Sequence, residues 1–279
     1  MSSETLIAFS NERKQVERMV ADGWQDLVQS GRSWRIWITL AWNDIARRYR
    51  RSIIGQFWLT LSMGMTVLGL GLVYSTLFRL DVVSYLPYVA VTFVLWALIS
   101  GTLIEACNAF IEAEGLIKHA NLPRTMHPLR VVTRSLMVAG HNVLIVPVVF
   151  LILGFNISWH VAWVIFTGPL LILNLFWMGL FLAVICARYR DVPQIVASIM
   201  QILFFVTPVM FRPEQLAGRV GWIVDWNPFA HLLAIVREPL LGVAPDPWSL
   251  TVSAVFALAG WACALPFVGR YGPRVPYWL

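Results

Sequence analysis

Five histidines, His119, His127, His141, His160 and His231, and three cysteines, Cys107, Cys186 and Cys263, are the residues best suited to metal or nucleophilic chemistry. Their spacing supports neither. No His-Glu-x-x-His pair is present for zinc. The odd number of cysteines, all in or beside apolar stretches, gives neither a disulfide framework nor a zinc spacing. The chain lacks a G-x-x-x-x-G-K-[ST] loop for cradling phosphates and a G-x-S-x-G turn for a nucleophilic serine. Catalytic residues, metal ligands and cofactors are therefore not expected in this polypeptide.

Glu105 stands apart because a carboxylate in a membrane segment is a functional candidate by default. Asn108, Glu112 and Glu114 follow it closely, which favours a place near the end of a tilted span over a proton relay. No Asp, Lys or Arg lies well inside any other apolar stretch, so the usual machinery of ion-coupled transport is missing. The aromatic residues, 14 Trp, 16 Phe and 7 Tyr, offer different chemistry. Tyr74 and Phe78 sit four apart, Tyr85 and Tyr88 follow, and Phe204 and Phe205 are adjacent. Such rings usually serve interfacial belts or helix packing. As a set they also suit sugars, whose apolar C–H faces lie flat on aromatic rings and slide along them.

The elements that must hold these residues are membrane spans. Of 279 residues 58% are apolar and 13% charged, against roughly 25% charged in ordinary soluble domains. Charge-free runs cover residues 52–78, 82–104, 135–187, 192–211 and 247–269. A spanning helix needs about 20 apolar residues, so the run 135–187 must hold two, broken near Gly154. The fold class expected is all-α and polytopic, with six transmembrane helices at about 57–78, 86–110, 133–154, 161–187, 192–211 and 248–269. The first thirty residues mix acidic and basic groups with no apolar core, unlike a signal peptide, and carry no assigned role.

Seventeen Lys and Arg fall on the side of the termini and four on the other, so both termini are expected in the cytoplasm. The net charge of +6 is thereby explained without nucleic acid. Within the N-terminal segment 1–51, Trp34, Trp37, Ile38, Ala41, Trp42 and Ile45 recur three or four apart, which predicts an amphipathic helix at the membrane interface, or packed on a partner. Segment 212–246, interrupted by Pro213, Pro228 and Pro239, predicts short extracytoplasmic helices between spans five and six, ahead of the last span of the 52–279 permease domain.

The stretch RYRRSIIGQFWLTLSMGMTVLGLGLVYSTLF at 48–78 resembles the start of the first span in permease subunits of type-2 ABC exporters of polysaccharides and polyol phosphates, the family of O-antigen, capsule and teichoic-acid export. EGLIKHANLPRTMHPLRVV, RYRDVPQIV, TPVMF and WNPFAHL follow in the same order. The resemblance covers nearly all the chain after about residue 30. Glu114-Gly115 stands where the family usually has a Gly-Asn-like polar pair, and Leu122 replaces an aromatic residue before Pro123.

The resemblance implies a homodimer in a bacterial inner membrane, bound to two copies of a nucleotide-binding subunit that holds ATP and Mg. It also implies coupling to that subunit through Glu114, Lys118, Arg124, Arg188, Arg190 and Asp191. A channel for a lipid-linked polysaccharide would use Tyr74, Phe78, Tyr85, Phe204 and Phe205. Arg47, Arg48, Arg50 and Arg51 would meet the lipid headgroup, with 213–240 as the outer gate. The alternatives are a type-2 ABC exporter of a drug or small lipid, and a membrane-embedded enzyme acting on polyprenyl phosphates.

Overall fold

The computed structural model describes residues 3–50, 54–55, 57–120, 122–216 and 221–279, and Arg51 lies outside the described residues. Helices account for its regular structure, and no strand occurs among those residues. In chain order they are α1 (Ser3–Arg32), α2 (Trp34–Tyr49), α3 (Phe57–Phe78), α4 (Val82–Ala106), α5 (Glu114–His119), α6 (Met126–Asn142) and α7 (Ile145–Leu153). They continue with α8 (Val164–Arg188), α9 (Val192–Val206), α10 (Gly221–Asp225), α11 (Pro228–Leu240), α12 (Pro247–Tyr271) and α13 (Val275–Trp278).

Five helical stretches are long and apolar enough to cross a membrane: Phe57–Phe78, Val82–Ala106, Met126–Leu153, Trp159–Arg188 and Pro247–Trp278. The stretch expected as the fifth of six spans is α9, which has only 15 residues. It stops for a local reason. Thr207 precedes Pro208, whose ring disfavours a helical conformation at the residue before it, and Thr207 is extended at φ −84° and ψ 142°.

Other boundaries follow equally local signals. The Asp81 side chain accepts from the Ser84 amide at 3.2 Å and starts α4 ahead of its expected position. Pro128 sits in the first turn of α6, where a missing N–H costs little, so this helix begins inside the expected loop. Gly154, at φ 68°, takes the left-handed conformation that closes α7 and makes the expected break.

The core is built on α4, α8 and α11, through residues such as Ile99, Leu103, Leu175, Leu232 and Ile235. By contrast α3 is the least enclosed span and leaves Met65, Leu72, Val73 and Leu77 exposed. An apolar face of that extent belongs against lipid or another chain.

Within the N-terminal segment that has no role from sequence, Ser3–Arg32 form α1 along α12. Their backbones touch at two glycines. A Cβ on Gly269 would fall on the Met19 carbonyl, and one on Gly23 would fall on that of Leu265. Small residues permit such close helix approach. Thus α1, α2, α5 and α13 gather at one end of the bundle, with α10 and α11 at the other.

Candidate functional site

The first constellation joins α2 to the bundle. Ala41 and Ile45 are buried, which turns Asp44 inward toward α6. Arg130 donates to it through Nε–Oδ2 at 2.6 Å and Nη2–Oδ1 at 2.5 Å, the bidentate fork that suits a carboxylate. Arg134, one helical turn on, reaches Asp44 at 3.3 Å and Glu105 at 3.1 Å, and Glu112 lies 3.5 Å from it. Arg47 adds a 2.8 Å pair to Asp44, and Arg48 lies 3.6 Å from Glu105. Burial alone would raise the Asp44 pKa. The Arg130, Arg47 and Arg134 guanidiniums prevail and hold it below the usual carboxylate range. Glu105 is thus the counter-ion of Arg134, near the end of its span.

Beside this network lies a cleft of about 360 Å³ between α2, α4 and α6, lined by Arg47, Arg48, Glu105 and Arg134 among others. A neighbouring hollow of about 190 Å³ shares Arg48 and Glu105 and continues to Leu59, Leu98 and Ala139. Together they offer a charged mouth and an apolar interior. Arg50 is exposed nearby in sequence, just past α2.

The second constellation is a platform at the same end. On α5, Glu114 and Lys118 form an exposed 2.6 Å pair one turn apart, and the Lys118 ammonium lowers the Glu114 pKa. Ile117 packs on the cluster that also holds Trp278 and Leu279. Arg188 stacks over the Tyr189 and Trp278 rings at 5.3 and 5.4 Å, and Arg190 donates to the Trp278 carbonyl at 3.5 Å. Asp191 stands at the N-cap of α9. The C-terminal tail therefore bridges the two segments expected to couple.

Arg124 belongs to this platform through a residue that sequence reading left unassigned. Asp26 of α1 accepts from the Arg124 amide at 3.0 Å and the Thr125 amide at 2.7 Å. The Thr125 hydroxyl meets the Asp26 carbonyl at 3.2 Å and the Ser30 hydroxyl at 2.5 Å. Thr125 makes no capping bond of its own at the start of α6, so Asp26 caps that helix from another one. Its only sequence signal is an acid in a segment with no assigned role.

At the opposite end the irregular turn after α9 is pinned by α4 and α11. Tyr85 donates its hydroxyl to the Met210 carbonyl. Tyr88 reaches the Pro208 and Phe211 carbonyls at 2.9 and 2.7 Å. Buried Arg237 donates to the Tyr88 hydroxyl and the Pro208 carbonyl, both at 3.1 Å. Asn227 joins the Thr207 hydroxyl at 2.9 Å while its side chain caps α11. The TPVMF and WNPFAHL blocks are thus two halves of one latch.

The rings expected to line a channel separate into two groups. Tyr85 is fully buried in the chain, and Phe204 lies edge-on to Phe93 and beside Trp96, with centroids 6.0 and 6.1 Å away. Phe78 and Phe205 are exposed, and Tyr74 lies 5.6 Å from Phe78. The structure does not bring all five together.

Residues 35–241 match the ABC-2 type transporter family. The chain belongs to that family. It is similar to an O-antigen export system permease protein RfbA of Myxococcus xanthus, at 27% identity over 84% of this chain and 91% of the relative. It is also similar to a protein of the same name from Klebsiella pneumoniae, at 20% identity over 70% of this chain and 76% of the relative.

As an ABC-2 permease the chain is the membrane-spanning component of a transporter, not an enzyme, and the family implies an ABC nucleotide-binding partner. The matched region runs from α2 to the end of α11, so α1 and α12 both lie outside it. These are the two helices joined at Gly23 and Gly269.

Proposed function

We propose that this chain is the transmembrane subunit of an ATP-driven exporter that passes a lipid-linked polysaccharide, such as an O-antigen, across a bacterial inner membrane. Two copies form the channel and two nucleotide-binding subunits drive it. The observation that carries the reading is family membership joined to the platform that α5, Arg188 and the C-terminal tail build at one end of the bundle. The substrate class is supported by the names of the two relatives and by the exposed rings of Phe78 and Phe205.

In this reading α9 also crosses, as the fifth of six spans in chain order. Its 15 residues rise about 22 Å at 1.5 Å each, and the turn 207–211 supplies the remaining depth. The seventeen-to-four partition of Lys and Arg puts both termini in the cytoplasm. The platform of α5, 188–191 and the C-terminal tail then faces the nucleotide-binding subunit. Segment 213–240 gates the outer side. The cleft at Arg47 and Arg48 receives the anionic headgroup of the carrier lipid.

Binding and hydrolysis of ATP on the partner bias the channel between closed and conducting states by changing how the platform docks. Reconstitution in proteoliposomes tests this directly. Lipid-linked polymer should accumulate inside inverted vesicles only when chain, cognate nucleotide-binding subunit and ATP are all present. Transport by the lone chain, or ATP hydrolysis by it, overturns the reading.

A further inference from the structure

A cavity of about 620 Å³ opens at the latch end, between the start of α4, the turn after α9, α11 and the start of α12. Its size lies in the range of small-ligand sites, about 300–1,000 Å³. Arg212 and Arg237 line it together with four carboxylates, Glu214, Asp225, Glu238 and Asp246. Arg237 is only 4% exposed, and the two guanidiniums flank the Tyr88 ring at 5.6 and 5.2 Å. Trp248 stands on the wall with 62% of its surface exposed.

This lining selects by elimination. Four carboxylates against two guanidiniums disfavour an anion. Among the described residues no three His, Cys, Asp or Glu side chains converge as metal ligands. The remaining His, His231, spends both ring nitrogens on the Ser249 hydroxyl and the Asp225 carbonyl, at 3.0 and 2.9 Å. What fits is a neutral group that donates and accepts at the same carbon and also has an apolar face. A sugar hydroxyl donates to a carboxylate and accepts from a guanidinium, and a pyranose ring lays its C–H face on an indole.

We propose that this cavity is a saccharide subsite that holds neutral pyranose units of the exported polymer at the latch end, stacked on Trp248. It rests on the polysaccharide-export reading above. A chain held here lies against the same Tyr88 and Arg237 that fix the turn after α9.

Saturation-transfer NMR with mannotriose tests the site, using the full chain with its nucleotide-binding partner in lipid nanodiscs. The ring protons of mannotriose should receive saturation, reduced at least fivefold by Trp248→Ala and retained by Trp248→Phe. Trp248 is exposed, so neither variant disturbs the core. Absence of transfer, equal transfer in Trp248→Ala, or stronger transfer to trigalacturonate than to mannotriose overturns the subsite. ATP-driven polymer export, measured separately in proteoliposomes, tells the two failures apart. Export without mannotriose transfer removes the subsite alone, whereas transfer without export removes the reading on which it rests.

Discussion

Asp44 and Arg130 meet through two parallel hydrogen bonds, at 2.6 and 2.5 Å, and this fork fastens the peripheral helix α2 to the crossing helix α6. Arg134 extends the link to Glu105 on α4, so α2 is tied to two spans. The same Asp44 and Arg134 border the cleft at Arg47 and Arg48. The cleft and the placement of α2 therefore share one set of charges.

Replacing Asp44 by Ala leaves Arg130, at 15% side-chain exposure, without its carboxylate, while Arg134 keeps Glu105 at 3.1 Å and Glu112 at 3.5 Å. Removing one partner of a fully buried pair costs about 3–5 kcal/mol, and the residual exposure here brings the expected loss to about 2–4 kcal/mol. The double variant Asp44→Ala with Arg130→Met should recover most of it, because neither charge is then stranded. Thermal unfolding of purified protein in detergent reads both. Equal Tm in wild type and Asp44→Ala would show that the fork contributes nothing.

Asp26→Ala removes the cap from two amides at the start of α6. Loss of a cap costs about 1 kcal/mol, which shifts the order–disorder equilibrium constant of that turn about fivefold. The chain should still insert and assemble, since the Gly23–Gly269 contact is untouched. Export per ATP hydrolysed should fall, measured in proteoliposomes. An unchanged ratio would mean that α1 does not set the platform.

Much of this organisation was legible in the sequence. Charge-free runs gave the crossing stretches because a lipid-facing helix excludes charge, and Gly154 marked its own break through positive φ. At α9 the helix is shorter than the charge-free run, because Pro208 ends it inside that run. Pairings were beyond reach. Asp44, Arg130, Glu105 and Asp26 are ordinary charges until packing brings residues 29 to 99 apart in the chain within hydrogen-bond distance. The division of the aromatic residues into packed and exposed rings was not legible either. Which ring is packed depends on the neighbours Phe93 and Trp96, from another helix.

That division predicts opposite behaviour from adjacent residues. Phe204→Ala leaves a void beside Phe93 and Trp96 and should cost about 2–3 kcal/mol of stability, somewhat under the value for a fully buried ring. Phe205 is 66% exposed, so Phe205→Ala should stay within about 0.5 kcal/mol of wild type while export falls. Thermal unfolding and export assays on the two single variants separate them. Loss of stability without loss of export in Phe205→Ala would remove it from the channel.

Glu238, near the end of α11, is held above the usual carboxylate range chiefly by burial, with Asp246 and Glu214 acting in the same direction. The Asp246 amide, which donates to it at 2.8 Å, and the Arg237 guanidinium oppose the shift without cancelling it. A carboxyl with a higher pKa in the fold than in the unfolded chain binds its proton better when folded. Its favourable contribution is complete below the unfolded value, about 4.3, and is lost as pH rises through the folded one. Glu238→Gln keeps an acceptor for the Asp246 amide and removes the charge that burial disfavours. It should raise Tm at pH 8 and leave it unchanged at pH 4, so the difference between variant and wild type grows with pH. A difference that is flat from pH 4 to 8 would mean that the carboxyl titrates alike in the folded and unfolded chain, and burial would then not be what holds its proton.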